Sequence, residues 1–199
     1  MERMNRIDAL LAEAEKRWGR GALVRWGDTV EAADVETVPT GFAELDEALG
    51  VGGLPCGRIS ELFGAGTSGK YALAASVVAQ CQKQDGVAVW IDPAGRLDPE
   101  QMSALGVDPG ALLVASPRNE TQALEMAVRL ARSGGVRIIV YDLAGSERGK
   151  EAACSRFLAS SSLVAHYSAL NLALRRLVAA VHKNRIAFLF VSERRTGSK

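Results

Sequence analysis

Gly64-Ala65-Gly66-Thr67-Ser68-Gly69-Lys70-Tyr71 is a G-x-x-x-x-G-K stretch followed by an aromatic residue. A phosphate-binding loop needs glycine where the backbone approaches an anion and takes dihedrals closed to other residues. It needs backbone N–H groups and a helix N-terminus aimed at the phosphate, and a lysine for the outer phosphates. Gly64, Gly66, Gly69 and Lys70 meet those needs. The next position ordinarily carries a small hydroxyl that holds Mg²⁺. Here it is Tyr71, whose hydroxyl stands a whole ring further from the backbone and cannot take the same metal position.

The flanks agree with a phosphate loop. Arg58-Ile59-Ser60-Glu61-Leu62-Phe63 alternates apolar residues and predicts a strand. Tyr71 to Gln82 is alanine-rich, lacks Gly and Pro, and predicts a helix. Strand, glycine-rich loop and helix in that order are the context in which the motif is informative.

Working outward, Asn5 to Arg17 predicts an amphipathic helix with Ile7, Leu10, Leu11, Ala14 and Trp18 on one stripe and Asn5 placed to cap it. Ala22 to Trp26 predicts a short strand, and Val30 to Asp34 an acidic link. A helix and a lone strand cannot bury their apolar sides alone. They must pack on the rest of the chain or on another chain. Phe42 to Leu49 predicts a short helix, broken by Gly50, Gly52, Gly53 and Pro55. Val87 to Asp92 and Val136 to Asp142 are apolar runs that fit buried parallel strands. Ala111 to Ala115 is a third strand after the loop strand, and Ile186 to Val191 a fifth. Asp98-Pro99 opens a short helix, and Asn119 caps another that runs to about Arg132. Leu143 to Ser162 predicts a loop with a frayed helix, Leu163 to Lys183 a long helix, and Ser192 to Lys199 a polar tail. Strands alternating with helices predict an α/β fold, a mostly parallel sheet with helices on both faces and the phosphate loop at the carboxyl ends of the strands. Asp142, ending an apolar strand, is the acid expected opposite that loop.

Composition narrows the function classes. Nearly half of the 199 residues are apolar, enough for a real core. No run of about 18 apolar residues predicts a membrane span. No secretory signal is visible, and Cys56, Cys81 and Cys154 lack metal-ligand spacing, so the expectation is a cytoplasmic protein without a metal centre. Charge is uneven: Met1 to Val136 carries 13 Lys/Arg and 19 Asp/Glu, whereas Arg137 to Lys199 carries 11 and 4. A basic last third is compatible with a nucleic-acid face or with a solvated surface balanced by the acidic part. The basic candidates are Arg148, Lys150, Arg156, Arg175, Arg176, Lys183, Arg185, Arg194 and Arg195.

Over nearly its whole length the chain resembles the RecA family of bacterial recombinases. The resemblance is carried by Val35-Glu36-Thr37, Thr40-Gly41, Leu45-Asp46, Ala48-Leu49-Gly50, Gly52-Gly53-Leu54-Pro55 and Gly57-Arg58-Ile59 before the loop. After it come Ile91-Asp92, Leu97-Asp98-Pro99, Leu105-Gly106-Val107-Asp108 and Gln122-Ala123-Leu124-Glu125. The resemblance implies a RecA-like P-loop core over residues 34–199, lacking the RecA C-terminal domain, and an N-terminal helix–strand arm over residues 1–33. That arm would contact a neighbouring subunit or partner through Leu10, Leu11, Trp18, Leu23, Val24 and Trp26. The first DNA-binding loop would fall near Phe157 to His166.

The departures from RecA fall on its chemistry. Tyr71 stands for the magnesium-holding Thr, Ala94 for the catalytic Glu, Gln101 for the adenine-stacking Tyr, and Glu193 for the Gln that senses the outermost phosphate. Lys70 and Asp142 remain. Without a carboxylate at position 94 no group orients an attacking water, and Glu193 sets negative charge toward phosphates. By size and decay the chain is similar to the ImuA family, which acts with ImuB, a Y-family polymerase relative, in damage-induced mutagenesis. The resemblance thus implies a non-hydrolysing accessory protein of DNA repair, partnered by RecA or an ImuB-like protein, with DNA contact and self-association open and ATP and Mg²⁺ binding doubtful. The alternatives are an active DNA-dependent ATPase that forms recombination filaments, and a single-stranded DNA-binding module with no nucleotide role.

Overall fold

Alternation along each strand decides which helices can cover it. In β4 (Ala88–Ile91), Ala88 and Trp90 face one side of the sheet and Val89 and Ile91 the other, and all four are buried. A computed structural model describes residues 2–19, 22–23, 25, 35–143 and 164–193. Five strands pair in parallel: β3 (Arg58–Gly64), β4, β5 (Leu112–Ala115), β6 (Ile138–Asp142) and β7 (Ala187–Glu193), in the order β3-β7-β6-β4-β5. Against one face lies α3 (Lys70–Lys83), whose Ala74, Ala75, Val77, Val78 and Cys81 join Trp90, Val140 and Leu189. Against the other lie α5 (Glu120–Arg132) and α6 (Val164–Lys183). There Ala123, Ala127, Leu177 and Val181 meet Ile91, Ile139 and Phe188. Small residues on the helices let them approach the large side chains of the strands. Trp90, Ile91 and Phe188 are each at most 1% exposed, and burying such a side chain is worth about 1.5–3 kcal/mol.

The predicted parallel sheet with helices on both faces is the observed one. A small antiparallel pair, β1 (Thr37–Val38) with β2 (Leu54–Pro55), flanks it and had no signal in the sequence, because two-residue strands show no periodicity. Between them α2 (Ala43–Ala48) forms where a short helix is expected, with none of its residues buried. The polar tail starts later than expected: Ser192 and Glu193 continue β7, because β3 extends to Gly64 and offers them partners. Short α4 (Pro99–Ala104) starts at Asp98, whose side chain accepts from the Glu100 and Gln101 amides. Cys56 and Cys81 are buried free thiols, and burial pushes the Cys81 thiol up to about 11. Cys154 lies outside the described residues.

Residues 1–34 and 35–199 form separate compact units. In the first, α1 runs Glu2–Trp18, so Asn5 is inside the helix rather than its cap. Arg25 pairs with Asp8 at 2.6 Å, and the Arg17 guanidinium sits 5.5 Å from the centre of the Trp18 ring. The strand expected over Ala22 to Trp26 is not formed by its described residues: Ala22 and Leu23 bend, and Arg25 has no regular structure. A strand needs a pairing edge, and none of the described strands pairs with this stretch.

Candidate functional site

The glycine-rich loop joins β3 to α3 at the carboxyl edge of the sheet. Gly69 sits just before the helix with φ +79°, a left-handed conformation that glycine adopts without penalty. Lys70 is 8% exposed, and its Nζ donates to the Ala65 carbonyl at 2.6 Å. The ammonium therefore folds back on its own loop. Asp142 ends β6 and is 3% exposed in its side chain, with the Arg96 guanidinium 3.6 Å away. The loop that brings Arg96 there is shaped by Asp92. This buried carboxylate accepts from the Ala94 amide at 3.2 Å and the Leu97 amide at 2.8 Å, closing a turn that carries residues 93–97 back over the sheet edge.

Strand register places Glu193. It pairs with Gly64, the first residue of the motif, while its neighbour Ser192 pairs with Phe63. Successive side chains of a strand point to opposite faces. Ser192 is fully buried and donates to Glu61 at 2.5 Å. Glu193 lies against the loop, and its Oε1 occupies the space where a side chain at position 66 would begin. A side chain at position 66 would displace the carboxylate from this seat.

Tyr71 does not reach for a metal. Its ring is turned into the core beside Trp90, with centroids 5.2 Å apart and planes tilted by 56°. Its hydroxyl is buried with no well-formed hydrogen bond, the Asp98 backbone N–H being a weak neighbour at most, and the Trp90 indole N–H is likewise unpartnered. Burial first, and the negative charges of Asp142, Asp92 and Asp98, push the Tyr71 phenol above its ordinary value; the Asp98 backbone N–H pulls it partly back.

Gly66, Lys70, Tyr71, Arg96, Gln101, Asp142, Val191 and Glu193 together line a pocket of about 370 Å³. Sequence reasoning named all of these but Arg96 and Val191. Arg96 had no signal, since only the Asp92 turn brings it over Asp142. Ala94 is half-buried in that turn and brings no carboxylate. A magnesium–nucleotide does not fit the site as arranged. The metal-holding hydroxyl is replaced by a ring packed elsewhere, and a carboxylate stands on the loop glycine where a phosphate would approach.

The basic candidates among the described residues do not line this pocket. Arg175 and Arg176 are exposed along α6. Lys183 and Arg185 lie just before β7 begins, at the amino end of the sheet, opposite the pocket. Arg185 is 3.8 Å from Glu36, which also pairs with Arg137 at 2.9 Å. Arg148, Lys150, Arg156, Arg194 and Arg195 lie outside the described residues, as does most of the stretch Phe157 to His166. Of the arm candidates, Leu10, Trp18 and Leu23 are exposed, by 59%, 67% and 51%, and Leu11 is half-buried. Val24 and Trp26 are outside the described residues. No helix among the described residues is long and apolar enough to cross a membrane.

The family model for the RecA N-terminal domain matches residues 5–197. Over 193 residues the chain is 38% identical to Protein RecA of Francisella philomiragia subsp. philomiragia, covering 97% of this chain and 53% of that one. Over 187 residues it is 40% identical to Protein RecA of Symbiobacterium thermophilum, covering 94% and 53%. Protein RecA of Francisella tularensis subsp. novicida is 38% identical over 193 residues, covering 97% and 54%. The chain thus spans about half the length of the curated relatives it matches.

Proposed function

The chain belongs to the RecA family, and on that premise we propose that it is a non-hydrolysing accessory protein of bacterial DNA damage repair, of the ImuA kind. It acts through contacts with a RecA-type subunit or an ImuB-like polymerase relative rather than through turnover of ATP. The observation that carries this reading is Tyr71. The residue at the metal-holding position is instead half-buried against the hydrophobic core, its ring tilted against Trp90. Ala94, Gln101 and Glu193 support it from the remaining positions where the family's chemistry resides. Mg²⁺ without its hydroxyl ligand, and water without a carboxylate to orient it, leave phosphoryl transfer without its electrostatic and positioning terms.

The resulting expectation concerns turnover. Phosphate release from Mg–ATP by the purified chain stays at the no-protein rate, with or without single-stranded DNA, and Lys70→Ala changes nothing. The competing reading, an active DNA-dependent ATPase, keeps Lys70 and Asp142 in its favour, since both line the pocket. DNA-stimulated phosphate release that disappears in Lys70→Ala would establish that reading instead.

A further inference from the structure

We infer that the phosphate loop is occupied by the chain's own side chains, the Glu193 carboxylate standing for a phosphate on Gly66 and the Arg96 guanidinium standing for a cation on Asp142. The inference rests on the proposed non-hydrolysing reading and specifies how the site is kept closed. Glu193 is not a loose tail residue that strays into the pocket. It is the last residue of β7, held by the ladder to Gly64, and its neighbour Ser192 is anchored on Glu61. The strand therefore delivers the carboxylate to the loop as part of the fold. Gly66, which in a working loop leaves space for the phosphate, here leaves space for Oε1 of Glu193.

Charge makes the same point. The pocket wall carries two cationic side chains, Lys70 and Arg96, and two carboxylates, Asp142 and Glu193. A site for a polyphosphate needs a surplus of positive charge, and the described residues of this one supply none. Arg96 is spent on Asp142, and Lys70 on the Ala65 carbonyl. An incoming triphosphate meets a like charge beside the loop, in a partly desolvated pocket where such repulsion is poorly screened. A neutral residue at position 193 removes that charge and leaves Lys70, Arg96 and the loop amides as a net cationic cradle. The ligand class that the opened pocket takes is an inorganic or nucleoside polyphosphate.

The test is calorimetric titration of the full chain with metal-free ATP and with inorganic triphosphate, comparing the native sequence with Glu193→Gln and Glu193→Ala. Omitting Mg²⁺ keeps the Tyr71 defect out of the readout. The native chain should show no saturable binding, and both variants should bind each ligand, with affinity raised on the order of tenfold or more, the scale of losing one nearby like charge. The glutamine variant preserves shape, and the alanine variant also clears the space over Gly66, so a folding defect in one leaves the other informative; thermal melts establish which is folded. Tight binding by the native chain, or no gain in a folded variant, overturns the inference. Phosphate release assayed with Mg²⁺ on the native chain separates the two ideas: turnover defeats the non-hydrolysing reading, whereas absent gain at position 193 defeats only self-occupation.

Discussion

Tyr71 is a position where one side chain has changed employment from site to core. Its ring fills space against Trp90 and the apolar cluster under α3. Its hydroxyl is buried without a well-formed hydrogen bond. A buried unsatisfied hydroxyl costs roughly 1–3 kcal/mol relative to an apolar group of the same shape. Tyr71→Phe is therefore expected to stabilise the chain by about 1 kcal/mol, read as a higher urea midpoint at unchanged slope. A destabilisation of that size would mean the hydroxyl has found a partner. Restoring a small hydroxyl is a different matter. Tyr71→Thr would repair the metal position on paper but empty the space beside Trp90, and large-to-small changes in a core cost about 3–5 kcal/mol for an aromatic. On the proposed non-hydrolysing reading, packing as well as the side-chain change itself resists restoring the metal position.

At the scale of elements, the sequence was legible wherever a local rule acts alone. Asn119 is the clearest case. Its side chain accepts from the Gln122 amide at 2.9 Å, and Gln122 reaches back to the Arg118 amide at 2.7 Å, a reciprocal arrangement like a capping box. Asn119→Ala is expected to cost about 1 kcal/mol, the usual size of a lost cap, seen as a lower urea midpoint. No loss would show that the reciprocal bond from Gln122 holds the helix start by itself. The buried strands were legible for a similar reason: four-to-six-residue apolar runs between turn residues have few other homes. What stayed hidden depended on register and on long-range turns. The small β1–β2 pair exists because Gly53 lets the chain pass close over Val38, where an added Cβ would meet the carbonyl oxygen at 2.5 Å, and no periodicity announces that. Arg96 reaches Asp142 only through the Asp92 turn. Glu193 was placed at the end of its strand by resemblance alone. The ladder to Gly64 then supplied what resemblance could not, its seat on Gly66.

For the whole molecule, the question is what a RecA-family core, on the proposed non-hydrolysing reading, offers to another protein. The residue 1–34 unit exposes large apolar side chains, as do Phe42, Phe63, Leu113 and Val178 in the other unit. Leu10, Trp18 and Leu23 are each more than half exposed, and the Arg17 guanidinium sits over the Trp18 ring. A large exposed aromatic is the kind of residue that anchors a partner's groove and dominates interfaces. The sequence carries an acidic excess from Met1 to Val136 and a basic excess from Arg137 onward, charge that can steer association with a related subunit. We therefore expect Leu10→Asp with Trp18→Asp to weaken association with a RecA-type subunit, read by sedimentation of mixed proteins, by on the order of tenfold or more. Circular dichroism should show that the parallel core is retained. Raising salt should weaken what association remains if charge steers it, since exposed charges are screened over about 10 Å at 0.1 M ionic strength. Association that is unchanged in the double variant would move the partner surface off the arm. The exposed basic face of α6, where Arg175 and Arg176 lie, would then be the next to alter.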